Sequence, residues 1–432
     1  MRDERDLEPG SDMPGTEEMP NSPKVRSKRG FARGFLIGVV VMAVVLVVVI
    51  LLYRNAVRSV LASYGVGAYS DTELLDDTTE EKISMLAGYI EGNYYEEVDT
   101  EELRNGLYQG LFDNLDEYSE YYTPEEYEEM MTSTVEGTYS GIGATLQQDN
   151  ETMIVTVIHV YDDSPAQKAG IQEGDIILKA DEYDASEMEL TDLVSHIHGE
   201  EGTAVHLEIY RDGEEMEFDV VRENLDYPTA DGEMLDDGIG YIQISEFAES
   251  TVEQFNTALD NLTGQGMTAL IIDLRYNPGG VLDSVCDIAD DILPEGLIVY
   301  TEDRAGHRVD YDSTNERSLD IPLAILVNEY SASASEILAG AVQDRDAGTI
   351  IGTLTFGKGV VQTIRPLSDG SAVKMTTSRY FTPGGTCIQG IGITPDVELE
   401  YEFLGGDEDE YSYELDNQIQ EAIEVLRSEE NK

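Results

Sequence analysis

Histidine is scarce in this chain of 432 residues. There are five, His159, His196, His198, His206 and His307, and none lies between Ser331 and Gln362. A serine hydroxyl is a poor nucleophile without a base beside it, so the base expected for a reactive serine in that stretch is a neutral lysine, as in Ser-Lys variants of the triad. Cysteine is scarcer still. Cys286 and Cys387 are the whole complement, with no CxxC pair, HExxH run or His/Cys cluster to hold a metal, and no cofactor is expected. Outside a cell the two cysteines can form a disulfide; buried and free is the equal alternative. Positive charge is also in short supply, with 26 Lys and Arg against 89 Asp and Glu and a net charge of −63. The first 34 residues carry seven of each sign, so the whole deficit falls on the part beyond residue 53. Nothing basic there offsets phosphate repulsion, which excludes nucleic acid as a partner and disfavours adhesion to anionic lipid. The acidity reads as a solubility adaptation.

Charge is absent altogether from residues 34 to 53, a run of 20 residues that are nearly all Val, Leu, Ile and Phe. At ~1.5 Å per residue such a run spans the ~30 Å hydrocarbon core of a bilayer. Lys24, Arg26, Lys28, Arg29 and Arg33 precede it, so the N-terminus is placed in the cytoplasm and everything from residue 54 outside. A cleaved signal peptide is the rival reading, but its apolar core of ~7–15 residues is shorter.

The remaining chain is long enough for two or three domains. Ile83, Leu86 and Ile90, then Leu103, Leu107 and Leu111, repeat with helical period. Thr123-Pro124-Glu125-Glu126 reads as a helix start with a capping box between Thr123 and Glu126. From 137 to 224, strand-like runs at 153–160, 205–210 and 217–221 surround one helical segment at 190–197. From 238 on, strands at 239–244, 269–274, 323–327 and 349–351 alternate with helices at 251–262, 281–293 and 334–342, which predicts an α/β sheet with helical crossovers. Leu415, Ile419, Ala422, Ile423 and Leu426 mark an amphipathic C-terminal helix for packing or dimer contact. The expected fold class is α+β and multidomain. It comprises a disordered cytoplasmic tail (1–34), a transmembrane anchor (35–53), a stalk (54–80), a helical region (81–131), a β-rich domain (132–224), an α/β core (225–402), and an acidic linker with a C-terminal helix (403–432).

The candidate chemistry lies in the core. In Ser331-Ala332-Ser333-Ala334-Ser335 a buried strand runs straight into a helix, so Ser333 sits where helix amides stabilise negative charge, and the Ala334 amide is a candidate oxyanion donor. The bland alternative is an N-cap serine among small packing residues. Lys358, in Phe356-Gly357-Lys358-Gly359, becomes a base if burial lowers its pKa, with Gln362 as its orienting partner; the alternative is an exposed lysine on a hairpin. Gly352, Gly357 and Lys358 also fit an incomplete P-loop, but Gly359 stands where a magnesium ligand is needed. Asn277-Pro278-Gly279-Gly280 forms a strand-to-helix turn, with Gly279 as the candidate second oxyanion donor. In the β-rich domain, the amides of Gly141-Ile142-Gly143 are candidates for binding a peptide C-terminal carboxylate, beside a groove lined by Leu193, Val194 and Ile197. His196 and His198 are two apart on a helix, point to different faces and are discounted as metal ligands.

In order along the chain, Leu115-Asp116-Glu117-Tyr118-Ser119, the 137–143 loop, Ser164-Pro165-Ala166 with Ala169-Gly170 and Gly174-Asp175, Asp273-Leu274-Arg275-Tyr276-Asn277-Pro278-Gly279-Gly280, Ser331 to Ile337, Phe356 to Gln362, and Gly392-Ile393-Thr394-Pro395-Asp396 resemble the C-terminal processing peptidases, or tail-specific proteases. The resemblance covers about 81–427. It implies a serine endopeptidase with one PDZ domain, Ser333 as nucleophile, Lys358 as general base and Gln362 as third member. Asp344 matches the position of an aspartate used instead in some members. It further implies that the PDZ domain captures flexible apolar C-termini of protein substrates and gates the site, with Arg211 a loose candidate for the gating residue. A homodimer through the helical region and C-terminal segment is found in some relatives. The non-enzymatic alternative is a PDZ scaffold that binds tails without cutting; an external nucleotide-binding protein rests on the incomplete P-loop alone.

Overall fold

The computed structural model describes residues 74–149, 152–314, 319–406 and 409–430. The expected tail, anchor and most of the stalk lie outside the described residues. Among the described residues no helix is long and apolar enough to cross a membrane.

The chain divides into two units between Asp99 and Thr100. In the first, α1 (Asp77–Asn93) begins where the Asp76 carboxylate accepts the Thr79 N–H at 2.8 Å. This N-cap draws the last residues of the expected stalk into the helix. The helix buries no side chain and exposes Met85 and Tyr89.

The second unit opens with α2 (Thr100–Gln109), β1 (Glu120–Tyr122) and α3 (Pro124–Met130). The capping box forms as the sequence predicts: Glu126 Oε2 accepts the Thr123 N–H at 2.8 Å and Thr123 Oγ1 accepts the Glu126 N–H at 3.3 Å. The β-rich domain contains β2 (Thr138–Gly141), β3 (Ala144–Gln148), β4 (Val155–Val160), α4 (Pro165–Ala169), β5 (Ile176–Ala180), β6 (Tyr183–Asp184), α5 (Leu190–Ile197), β7 (Ala204–Arg211), β8 (Glu214–Val221) and β9 (Glu223–Asp226). Its antiparallel sheet runs β3-β4-β5-β7-β8, with β6 on β5. Val205, Leu207 and Ile209, at period two, turn inward onto Val155, Val157, Leu193 and Ile197. The strand that enters this domain and the strand that leaves it, β2 and β9, pair with each other in a separate ribbon.

The core follows as β10 (Ala230–Met234), β11 (Ile239–Ile244), α6 (Glu249–Gly264), β12 (Ala269–Asp273), α7 (Leu282–Ile292), β13 (Gly296–Asp303), β14 (Arg308–Ser313), β15 (Leu323–Val327), α8 (Ala334–Asp344), β16 (Thr349–Gly352), β17 (Val360–Pro366), β18 (Ala372–Phe381), β19 (Val397–Glu398) and α9 (Asn417–Glu430). The main sheet, β10-β11-β12-β15-β16-β19, is parallel from β11 to β19, with β10 antiparallel at one edge. Alternate strand residues face opposite sides. Ile242, Ile272 and Ile325 meet α6, α7 and α8, while Tyr241, Ile271 and Leu326 meet Ile419, Ala422 and Leu426 of α9. The C-terminal helix therefore packs on its own sheet.

A second sheet was not legible as such in the sequence: β1-β18-β13-β14, with β17 on β18. Its strands are half-exposed and rich in Asp, Glu, Arg and Thr, so their hydrophobic signal is weak. Both cysteines are free. Cys286 is buried on α7, and burial pushes its thiol up to about 12.

One buried cluster fastens α9 to the sheet. Arg275 donates to Asp273 at 2.6 Å and to Asp416 and Gln418 at 2.9 Å each, and Asp416 Oδ1 caps the helix by accepting the Gln418 and Ile419 N–H groups. Asp273 and Asp416 are each 1% exposed. Removing one partner of such a buried pair costs about 3–5 kcal/mol. Asp416→Ala is therefore expected to lower the unfolding free energy by that order in urea titrations followed by circular dichroism. A loss under about 1 kcal/mol would show that the cluster does not hold the helix.

Candidate active site

The buried strand β15 is followed at once by Asn328, whose side-chain oxygen accepts the N–H groups of Tyr276 (3.0 Å) and Tyr330 (3.1 Å). This ties the turn after β12 to the turn after β15. Two of the three serines reinforce the tie. Ser331 Oγ donates to the Leu274 carbonyl at 2.8 Å, and Ser335 Oγ donates to the Asn277 carbonyl at 3.0 Å; both serines are fully buried. Ser333 differs from both. It is half-buried, caps nothing with its hydroxyl, and has φ 54° and ψ −110°, outside the regions an L-residue prefers. Such a conformation costs about 1–3 kcal/mol and persists only where its surroundings impose it. A strained strand-to-helix turn is also what presents a nucleophilic serine in α/β-hydrolases.

The surroundings that impose it centre on Glu336, which is fully buried on α8. Its carboxylate accepts from the Ser333 N–H (2.9 Å), the Thr355 hydroxyl (2.5 Å), the Gly357 N–H (2.8 Å) and the Lys358 N–H (2.9 Å). Burial raises its pKa, and these four bonds work against that rise. The Tyr380 hydroxyl, also buried, bonds to the carbonyls of both Ser333 (3.0 Å) and Lys358. The turn at Ser333 and the lysine loop are thus held together through their backbones. The P-loop reading fails on the same geometry, because the Gly357 and Lys358 amides already face a carboxylate where a phosphate would have to sit.

Lys358 is half-buried, with Nζ 4.4 Å from the centroid of the Tyr118 ring. Burial, then the nearby Lys374 charge, lowers its pKa, against the opposing pull of Glu117, Asp116 and Glu336. Among the described residues no hydrogen bond joins Lys358 Nζ to Ser333 Oγ. Gln362 lies on β17 with its amide donating to Thr376 Oγ1 at 3.1 Å rather than to Lys358. Asp344 ends α8, eleven residues and about 16 Å along the helix from Ser333, and accepts the Gly384 N–H at 2.7 Å. The structure does not bring it to the serine.

Gly279 does reach the site, but not as an amide donor. Its N–H is engaged by Asn277 Oδ1 at 2.8 Å. A Cβ at Gly279 would stand 2.8 Å from Ser333 Cβ and 2.9 Å from the Ala334 nitrogen. The glycine keeps open the space above the Ala334 N–H, which opens α8 and has no acceptor among the described residues.

In the β-rich domain, β3 is a sheet edge and α5 lies beside it, joined where Gln148 Oε1 accepts the Leu190 N–H at 2.9 Å. Gly141, Ile142 and Gly143 lead into that edge; their neighbour Ala166 donates to the Ile142 carbonyl. Of the expected groove residues, Leu193 and Ile197 are core and Val194 is half-buried. Arg211 is not free to gate: it forms a two-point pair with Asp175 at 2.6 Å and donates to the Gly170 carbonyl at 2.8 Å. His196 stacks on Tyr183 at 3.5 Å, and His198 lies 5.1 Å from Tyr139.

The profile of peptidase family S41 matches residues 238–399, and that of a PDZ domain matches 140–221. A carboxy-terminal-processing protease of Bartonella bacilliformis is 36% identical over 354 residues, covering 78% of this chain and 80% of that one. The chain belongs to the carboxy-terminal processing proteases. The carboxy-terminal processing protease CtpA of Bacillus subtilis is 34% identical over 327 residues, with 75% and 70% covered. The carboxyl-terminal-processing protease of Synechocystis is 36% identical over 319 residues, with 72% and 74% covered. Among solved structures, the photosystem II D1 C-terminal processing protease is 28% identical, with 75% of this chain and 88% of that one covered at a TM-score of 0.45. This carboxy-terminal processing protease is therefore a serine-type peptidase carrying a PDZ domain.

Sequence reasoning passed over Asn277, Glu336 and Tyr380. A glutamate three residues into a helix reads as half a capping box, and only the folded chain shows its second carboxylate oxygen reaching another loop. The unequal roles of the three serines predict unequal stability effects. Ser331→Ala and Ser335→Ala each strand a buried partner and are expected to cost about 1 kcal/mol, whereas Ser333→Ala costs little or nothing. Thermal unfolding of the three variants checks the order, and equal losses would contradict it.

Proposed function

We propose that Ser333 and Lys358 are the nucleophile and general base of this protease, acting on protein substrates whose flexible apolar C-termini are captured by the PDZ domain. The observation that carries the reading is the isolation of Ser333: its neighbours' hydroxyls are spent on backbone carbonyls, while its own is presented on a strained turn tied to the lysine loop. Ser333 Oγ attacks the peptide carbonyl carbon and passes its proton to neutral Lys358 Nζ. The Ala334 N–H, at the start of α8, steadies the oxyanion in the space that Gly279 leaves open. Lys358 returns the proton to the leaving amine. Water then attacks the Ser333 ester, with Lys358 taking its proton and Ser333 Oγ regaining one as the acid leaves. Gln362, on the strand that follows Lys358, orients the amine once it turns from Tyr118 toward Ser333.

Substrate capture follows the same logic. An extended tail adds as a strand to the β3 edge beside α5, and its carboxylate meets the amides of the Gly141-Ile142-Gly143 loop. The uncharged run at 35–53, with its basic flank, anchors the enzyme in the cell membrane with the N-terminus cytoplasmic and the catalytic part outside.

The test uses the purified full-length protein on a disordered substrate with an apolar tail. Ser333→Ala and Lys358→Ala are each expected to abolish cleavage, and amidation of the tail to lower kcat/KM. Full cleavage by Ser333→Ala sinks the assignment, and indifference to amidation sinks the capture step.

The pH profile provides a second check. A lowered lysine pKa places the neutral amine at lower pH than in a free side chain, so kcat/KM should rise with pH along a limb below the ordinary value of 10.5. Asp116, Glu117 and Glu336 favour the ammonium form, and Lys374 disfavours it. Glu117→Gln removes one of the favouring charges and is expected to move the limb to lower pH; a shift to higher pH would refute the electrostatic account.

A further inference from the structure

The wall against which Lys358 rests comes from a segment far upstream, and that segment is held in place with unusual care. Tyr118 presents its ring to Lys358 Nζ at 4.4 Å, while its own N–H is held by Asp116 Oδ1 at 3.0 Å. Asp116 Oδ1 also accepts the Thr376 hydroxyl at 3.3 Å, and buried Ser119 Oγ accepts the Thr376 N–H at 3.1 Å. The next three residues form β1, in register with Ala372 to Lys374 of β18, where Lys374 Nζ donates to Glu120 Oε2 at 3.2 Å. Bonds on both sides of Tyr118 thus fix the ring against the same strand whose Thr376 accepts from Gln362.

We infer that Tyr118 is a positioning residue for Lys358: its ring face seats the amine and limits it to a short arc beside the nucleophile turn. The inference rests on Lys358 being the general base. An aromatic face suits this task better than a carboxylate does. It attracts an ammonium group, packs equally against a neutral amine's methylenes, and accepts no proton, so it orients the side chain without locking it in the charged form. The task falls to the ring face and not to the phenol hydroxyl, which faces the Glu117 carboxylate. Without the ring, the four-carbon stem of Lys358 would sample rotamers over the emptied space, and loss of orientation costs rate rather than binding.

Four full-length variants test this. Tyr118→Leu is expected to lower kcat by about tenfold to a hundredfold with KM within about twofold of the parent, and Tyr118→Phe, which keeps the ring, to restore kcat. Thermal unfolding checks that both are folded. A Tyr118→Leu enzyme with unchanged or higher kcat, or a Tyr118→Phe enzyme as slow as Tyr118→Leu, overturns the inference. A second readout does not depend on catalysis. The lysine ε-methylene resonance assigned through Lys358→Arg should show a ring-current shift in the parent and in Tyr118→Phe, and lose it in Tyr118→Leu; a resonance that does not move overturns the seat itself. Lys358→Ala separates the two ideas: if that variant still cleaves, the general-base reading fails while the ring-current result still reports on the seat.

Discussion

One buried carboxylate sets the geometry on which the catalytic half depends. Glu336 has no contact with solvent, yet it receives four donors from two stretches of chain: Ser333 on one, and Thr355, Gly357 and Lys358 on the other. A carboxylate in a low-dielectric interior is costly unless its lone pairs are filled, and each donor left without it is costly in turn. The turn at Ser333 and the lysine loop consequently cannot relax separately. The strained conformation of Ser333 is a result of this, since its N–H is directed at Glu336 while its carbonyl is directed at Tyr380.

The main sheet supplies the platform beneath that geometry. Its parallel strands alternate apolar residues between two faces, three helices cover one and α9 the other, and the turns after β12 and β15 converge at the carboxyl ends where α/β proteins place their sites. Asn277 and Asn328 convert two adjacent turns into one rigid piece. Asn277 donates to the Ile244 carbonyl at 2.9 Å and receives from Gly279, so its amide side chain links the end of β11 to the turn after β12, while its backbone carbonyl accepts from Ser335 in the turn after β15. The freedom of these turns is removed by hydrogen bonds as well as by packing.

Much of this was readable from residues in order. The strand at 323–327 is five apolar residues in a row, the helix start at Thr123 has its reciprocal glutamate, and Ser333, Lys358 and Gly279 stand in phrases that single them out. What escaped reading depends on distant pairing. Nothing local in Glu120 to Tyr122 announces that they join residues 372–374, because a three-residue polar strand has no periodicity to detect. Gly279 was expected to donate an amide, yet the side chain two residues earlier had already claimed it. Arg211 looked free in sequence only because its partner Asp175 sits two strands back. For β1 and Arg211 the deciding interaction joins residues distant in sequence, whereas at Gly279 the competitor is a side chain two residues away.

The ribbon at the base of the PDZ domain has an evolutionary consequence. Thr138 lies opposite Asp226 and Gly141 opposite Glu223, so the chain enters and leaves that domain at one point. A module whose two ends meet can be lengthened, shortened or exchanged for another without moving the strands on either side. The PDZ domain and the protease core keep separate hydrophobic clusters, which leaves each free to diverge between lineages without repacking the other.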